Sequence, residues 1–273
     1  MNVLADGIRQ TVPVPHATTT DGQRIAYQVR GTGQPLVLLA GQSNNHTWWD
    51  PVRADFESSY RTITLDWRGT GDSDKPDEVY STAGFAEDVV AVLDDLGLGV
   101  AHVYGTSMGG RVGQWVAINY PERVRGLVLG CTSPGAAHGY ERSQEIRRAL
   151  ADPARTERVL LELMYTPGWL AENPGPHPVL GDATMPSYAK ARHLVASNRH
   201  DAWDQLPSIT APTLVLHGTD DAFSPAANAV LLAGRIPDAR AELIAGARHA
   251  YFHEFREVAG AAVLAFLASL DRA

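Results

Sequence analysis

The sequence predicts an α/β fold in which a mostly parallel sheet is covered by helices on both faces. Apolar, β-rich runs alternate with segments of helical periodicity along most of the chain, which is the pattern of a parallel sheet. Before this alternation, Asp21-Gly22 predicts a two-residue hairpin turn with positive φ at both residues. The first two strands should therefore be antiparallel and lie at one edge of the sheet.

The candidate strands and helices follow one another in a regular order. The hairpin joins candidate strands near 15–20 and 24–30, and six more strands are predicted at 36–40, 62–66, 100–105, 126–131, 213–217 and 241–244. Helices are predicted at 81–96, 108–120, 226–236 and 254–270. In the first of these helices, Phe85, Val89, Val92, Leu93 and Leu96 fall on one face, as expected of a helix packed on a sheet.

One long segment interrupts the alternation after the sixth strand. It contains helical pieces and many helix-breaking residues but no convincing strand, and a stretch of this length is too long for a simple connection. We therefore predict an α/β core formed by 1–133 and 206–273, with a helical lid at 134–205.

Composition and charge exclude several classes of function. The 273-residue chain carries a net charge of −8, which disfavours nucleic acid and anionic membranes as partners. Its single cysteine, Cys131, allows neither an intrachain disulfide nor a cysteine metal cluster. Asp6 and Arg9 interrupt the N-terminal apolar segment, so it is a poor secretory signal. We expect a cytoplasmic protein, monomeric or homodimeric, without nucleic-acid or membrane partners.

A candidate nucleophile lies between a predicted strand and a predicted helix. The sequence "GTSMG" at 105–109 has the G-x-S-x-G pattern, and its position fits a nucleophile elbow. A sharp turn there exposes the hydroxyl of Ser107 at the edge of the sheet, and Gly105 and Gly109 prevent side-chain collisions across the turn. The motif alone is weak evidence, because such short patterns recur by chance.

Two later strand ends supply an acid and then a histidine. Asp220 and Asp221 follow one predicted strand, and His249 follows the next. Catalytic groups in open α/β sheets gather beyond the carboxyl ends of strands, where these residues would join Ser107. A serine hydroxyl needs an imidazole to take its proton, and the imidazole needs a carboxylate to fix its tautomer. The sequence thus predicts a triad of Ser107, His249 and one of the two aspartates.

With these motifs in place, the chain resembles the α/β-hydrolase fold superfamily over nearly its whole length. The matching segments read "GTSMGG", "LDWRGTGDSDKP", "PERVRGLVL" and "ITAPTLVLHGTDD". The resemblance implies that Asp221, rather than Asp220, is the acid of the triad. It also implies an oxyanion hole formed by the backbone N–H groups of Gln42 and Met108. Relatives usually have histidine where this chain has Ala40, so the loop after it should be held in another way.

The substrate pocket should combine residues from this loop and from the predicted lid. The candidates are Ser43, His46, Trp48, Met164, Trp169 and Tyr188. Few charged residues occur at 163–188, which favours an uncharged, largely apolar substrate. His249 and His253 are four residues apart but have no third ligand nearby, so we predict neither a metal nor an organic cofactor.

The expected function is hydrolysis of an uncharged, apolar carboxylic ester or lactone through an acyl-enzyme. Within the same chemistry, cleavage of a carbon–carbon bond, acyl transfer or polyketide-type tailoring are alternatives. Outside enzymes, the alternative is a sensor that binds a ligand on a hydrolase fold without efficient turnover.

Overall fold

The computed structural model describes residues 14–272, so Asp6 and Arg9, which argued against a secretory signal, lie outside the described part. The strands are β1 (His16–Thr18), β2 (Arg24–Arg30), β3 (Gln34–Leu39), β4 (Tyr60–Leu65), β5 (Ala101–Thr106), β6 (Val124–Gly130), β7 (Thr213–Gly218) and β8 (Ala239–Ile244). The helices are α1 (Asp50–Glu57), α2 (Thr82–Asp95), α3 (Met108–Asn119), α4 (Gln144–Ala151), α5 (Thr156–Met164), α6 (Pro167–Glu172), α7 (Ser187–Asn198), α8 (Ala227–Arg235), α9 (Tyr251–Glu254) and α10 (Arg256–Asp271).

The strands form one eight-stranded sheet in the order β1-β2-β4-β3-β5-β6-β7-β8. β1 pairs antiparallel with β2, and β2 pairs antiparallel with β4. Every other pairing is parallel. The predicted α/β class, with its antiparallel edge, is therefore confirmed.

The hairpin between β1 and β2 has a different turn from the one predicted. Thr19 N–H donates to the Gln23 carbonyl at 2.9 Å, which leaves three residues in the loop instead of two. Of these, Gly22 alone has positive φ, at 84°. The Asp21 carboxylate accepts hydrogen bonds from Thr19 Oγ1 and Arg68 Nη1. These contacts were not predicted from the sequence.

The two faces of the sheet are both buried, as a parallel sheet requires. Along β3, Val37 and Leu39 face the apolar cluster that contains the buried face of α2, while Leu36 and Leu38 face the cluster that contains α10. The apolar face predicted for α2 is likewise buried, apart from Leu96 at its end, which is partly buried.

Helices α4 to α7 lie between β6 and β7, within the predicted lid segment. None of the described helices is long and apolar enough to span a membrane.

A buried ion pair fixes the loop after β4 to helix α2. Arg68 Nε and Nη2 donate to the two carboxylate oxygens of Asp88 at 2.9 and 2.5 Å, and Asp88 is fully buried. Burial raises the pKa of Asp88 to about 6, and the charge and hydrogen bonds of Arg68 oppose that rise. Arg68 is therefore a structural residue whose removal would leave a buried carboxylate without a cation.

We expect Arg68→Met to lower the free energy of unfolding by about 3–5 kcal/mol, because it breaks a buried pair from one side only. Urea denaturation at neutral pH measures this loss. The matched control is Arg192→Met, whose pair with Asp77 is exposed and should change stability by less than about 0.5 kcal/mol. Equal losses in the two variants would contradict the structural role of Arg68.

Candidate active site

Ser107 occupies a strained turn between β5 and α3. Its φ is 55° and its ψ is −121°, a conformation that L-residues rarely adopt. The Ser107 N–H donates to the Gly130 carbonyl at 2.9 Å, and its carbonyl accepts from Gly110 N–H at 3.1 Å. These bonds hold the turn, so that Ser107 precedes the positive end of the α3 dipole.

Gly105 and Gly109 allow this turn because their neighbours leave no room for a side chain. A Cβ atom on Gly105 would lie 2.2 Å from the Gly109 carbonyl oxygen. A Cβ on Gly109 would lie 2.2 Å from the Leu39 carbonyl oxygen at the end of β3. The glycines of the motif are therefore required by backbone contact, as the sequence predicted.

Asp221 lies buried beyond the end of β7, and Asp220 beside it is exposed. One carboxylate oxygen of Asp221 accepts from His249 Nδ1–H at 2.8 Å and lies 3.2 Å from His217 Nε2. The other accepts from the N–H groups of Phe223 and Ser224. Burial alone raises the pKa of Asp221, but the charge and hydrogen bonds of His249 and His217 outweigh it and hold that pKa below its ordinary value.

His249 lies in the loop between β8 and α9, and almost none of it is exposed. Its ring packs on Phe223, with 4.7 Å between ring centres. Nδ1 is bound to Asp221, and Nε2 has no hydrogen-bond partner among the described residues. Nε2 is therefore the nitrogen left to bind Ser107, and such catalytic contacts often tighten only when substrate binds.

The sheet brings these three residues to one edge. β5, β6, β7 and β8 are consecutive neighbours, with Thr106 level with Gly130 and Gly218 level with Ile244. Because all four strands are parallel, their carboxyl ends meet at the same edge. Ser107, Asp221 and His249 follow three of these ends.

A cavity of about 180 Å³ opens above Ser107. Its lining residues are Gln42, Ser43, Asn44, Trp48, Ser107, Arg142, Leu160, Met164, Val179, Leu180, Gly181 and Phe223. Six of these twelve residues have apolar side chains and five have polar or charged ones, and the volume is below the ~300–1,000 Å³ typical of ligand pockets. The cavity therefore suits a small molecule.

Of the six pocket residues predicted, Ser43, Trp48 and Met164 line this cavity. The other three lie elsewhere because stronger local partners hold them. His46 binds the Asp66 carboxylate at 2.6 Å. Trp169 stacks on Tyr165 with ring centres 4.2 Å apart. Tyr188 O–H donates to the Lys75 carbonyl at 2.6 Å.

Several lining residues were not predicted from the sequence. Arg142 and Leu160 come from the first part of the insertion, and Val179 and Leu180 from a 3-10 turn in its middle. Phe223 follows Asp221 by two residues. Proximity to the predicted acid was the one sequence signal that pointed to Phe223, and no periodic pattern marked the others.

Comparison with known proteins identifies the family of this chain. The family described as alpha/beta hydrolase fold matches residues 34–163. A relative named "Putative carbamate hydrolase RutD", from Variovorax paradoxus, is 33% identical over 258 residues, which cover 90% of this chain and 96% of the relative. The chain belongs to the α/β-hydrolase family.

Two further comparisons place this hydrolase among enzymes and structures of similar length. A 3-oxoadipate enol-lactonase 2 from Acinetobacter baylyi is 30% identical over 247 residues, covering 85% of this chain and 90% of the relative. The crystal structure of a hydrolase from Pseudomonas aeruginosa PA01 has a TM-score of 0.81 and 30% identity, covering 93% of this chain and 98% of the other.

The insertion of this hydrolase holds the loop after β3. Asp182 N–H donates to the Ser43 carbonyl at 2.7 Å, and Gly181 N–H donates to Asn44 Oδ1 at 3.1 Å. Ser43 N–H, in turn, donates to His193 Nδ1 at 3.3 Å. Ser43 has a positive φ of 59°, so these contacts stabilise a backbone conformation that serine seldom adopts.

The contacts of His193 fix its tautomer. Its Nε2 lies 2.9 Å from the Arg68 carbonyl, which can only accept, so Nε2 carries the proton and Nδ1 accepts from Ser43. Burial lowers the pKa of His193 to about 4. His193 is therefore neutral in the folded hydrolase and supplies the bracing that Ala40 does not.

We expect His193 to lower the free energy of unfolding of the protein in acid. Its pKa is about 6.5 when unfolded and about 4 when folded, so between these values the unfolded chain binds more protons. The contribution of His193 to the free energy of unfolding is fully present above pH 6.5. It falls as pH drops toward 4, by up to about 1.4 kcal/mol per pH unit. Urea unfolding of wild type and His193→Gln at pH 6.5, 5.5 and 4.5 measures the difference, and identical pH slopes would contradict it.

Proposed function

We propose that this protein is a serine hydrolase that cleaves a small carboxylic ester or lactone through an acyl-enzyme on Ser107. The observation that carries the proposal is the coincidence of two features at one sheet edge. Ser107 lies in a strained turn that lines a cavity, and a buried His249–Asp221 pair follows the neighbouring strands. That combination activates a hydroxyl for acyl transfer.

Proton transfer follows from the hydrogen bonds of His249. Nδ1–H donates to the Asp221 carboxylate, which leaves Nε2 unprotonated and able to take the proton of Ser107 Oγ as it attacks the carbonyl carbon. The imidazolium then forms beside an aspartate held ionised by its surroundings. It returns the proton to the leaving alcohol oxygen, and a water repeats the sequence to release the acid.

The proposal assigns stabilisation of the oxyanion to two backbone N–H groups. Gln42 lines the cavity with Ser107, and Met108 is the first residue of α3, where N–H groups lack intrahelical acceptors. Neither N–H donates to a protein acceptor within the described residues. Donors preorganised in this way stabilise the negative charge of the tetrahedral intermediate. The hydrogen bonds from the insertion to Ser43 hold the loop that contains Gln42.

The names of the relatives support an ester-like substrate. One is an enol-lactonase and another a carbamate hydrolase by name, and both names describe cleavage at an acyl carbon bonded to oxygen or nitrogen. The apolar walls of the cavity favour a substrate with a short hydrocarbon part. This chemistry requires neither a metal nor an organic cofactor, and the described residues contain no cluster of three metal-binding side chains.

Removal of the nucleophile tests the function directly. We expect Ser107→Ala to lower kcat/KM for p-nitrophenyl acetate at least ~10³-fold, because the acyl-enzyme can no longer form. Thermal unfolding of the variant should resemble that of wild type. A wild-type protein that binds ester without hydrolysing it, with unchanged binding in Ser107→Ala, would instead indicate a sensor.

The adjacent aspartates provide a matched pair for the acid. We expect Asp221→Asn to lower kcat by about 10⁴-fold, because the amide favours the wrong tautomer of His249 and no longer stabilises its imidazolium. Asp220→Asn removes the same charge from an exposed position, so its kcat should stay within about threefold. Steady-state ester hydrolysis by the two variants measures the difference. Comparable losses in both would reject Asp221 as the triad acid.

A further inference from the structure

An arginine lines the cavity beside Ser107 and has no carboxylate partner within residues 14–272. Arg142 precedes α4 and contributes to the same cavity wall as Ser107 and Leu160. Its Nε donates to the Phe223 carbonyl at 3.3 Å, and its guanidinium carbon lies 3.9 Å from the centre of the Phe223 ring. These contacts orient the side chain over the ring that also packs on His249.

The carboxylates around Arg142 are bound by other groups. Glu141 pairs with Arg147 at 2.7 Å and approaches Arg111 at 3.9 Å. Asp221 is bound by two histidines and two backbone N–H groups. Among the described residues, Arg142 makes no ion pair, in contrast to Arg68, which is held by the buried carboxylate of Asp88.

Arg142 is half-buried in the cavity wall, and the part of its guanidinium shielded from water carries a desolvation penalty that a bound anion can offset. The carbonyl and ring of Phe223 offset only part of this penalty. The Nη groups make no hydrogen bond to the described protein. The two Nη groups therefore remain available to a ligand, and their fork matches the two oxygens of a carboxylate.

We propose, on the basis of the proposed serine-hydrolase function, that the substrate carries a carboxylate that Arg142 binds while Ser107 attacks its ester or lactone carbonyl. A monoanion fits because the cavity wall contains one cationic side chain, which would leave a phosphate dianion undercompensated. The expectation of an uncharged substrate rested on 163–188, and Arg142 lies outside that segment. The substrate class is thus the half-ester, or the lactone bearing one acid group.

Two esters of nearly equal shape test the proposal. Monoethyl succinate ends in a carboxylate, and ethyl levulinate replaces that carboxylate with a neutral acetyl group. We expect wild type to prefer monoethyl succinate by at least ~10-fold in kcat/KM, the worth of a charge-assisted hydrogen-bond pair in a partly dry site. Arg142→Met should abolish this preference, so that the ratio of kcat/KM for the two esters falls to about one.

Two further variants separate local binding from general charge and from folding. Arg148→Met removes an exposed cation six residues away and should keep the wild-type preference. Arg142→Lys should restore part of it, because a single ammonium binds a carboxylate without the fork. Succinate should inhibit wild type competitively and inhibit Arg142→Met at least ~10-fold more weakly.

The outcomes distinguish this proposal from the function on which it rests. If wild type hydrolyses neither ester nor p-nitrophenyl acetate, the serine-hydrolase function itself is rejected. If wild type hydrolyses both esters equally, or if Arg142→Met lowers kcat/KM for both by the same factor, the function stands and the carboxylate site is overturned.

Discussion

The candidate active site, at the edge of the sheet, depends on how closely the first turn of α3 approaches the end of β3. Backbone atoms there come so near that a single methyl group on Gly109 would overlap the Leu39 carbonyl. This contact forces Ser107 into its strained conformation at the start of the helix. Strain of this kind persists because the surrounding structure fixes the turn on several sides. The parallel register then only has to deliver an acid and a histidine to the same edge.

Two opposite charges lie at this site, the buried Asp221 carboxylate that binds His249 and the Arg142 guanidinium that lines the cavity. Asp221 contacts His249, His217 and backbone N–H groups, and its charge still acts on Arg142, where it opposes the lowering of the guanidinium pKa by burial. In the described part of the chain, Arg142 contacts the Phe223 carbonyl and the Phe223 ring and makes no ion pair. Within the described residues Arg142 is not a hydrogen-bond or ion-pair partner of Asp221, so a ligand can bind Arg142 without displacing a group that orients His249.

Sequence patterns predicted the residues that follow strands and missed those that depend on packing of the insertion. Ser107, Asp221 and His249 each come after an apolar run, and parallel pairing is enough to collect them. Arg142 precedes a short helix, and its place in the cavity depends on tertiary contacts with Phe223 that no periodicity encodes. His46 was predicted for the pocket because of its position in the loop. The buried carboxylate of Asp66 binds it instead.

The three contacts between the insertion and the loop after β3 differ in how much they depend on sequence. The contact from Asp182 to Ser43 joins two backbone groups, so most residue types could make it. The other two require particular side chains, His193 in the insertion and Asn44 in the loop. An insertion transplanted from another hydrolase could therefore keep two of the three ties, because Asn44 stays in the loop and accepts from a backbone N–H, and it would lose the tie from His193. Exchange of substrate specificity by swapping insertions therefore requires that the incoming insertion have a histidine at the position of His193.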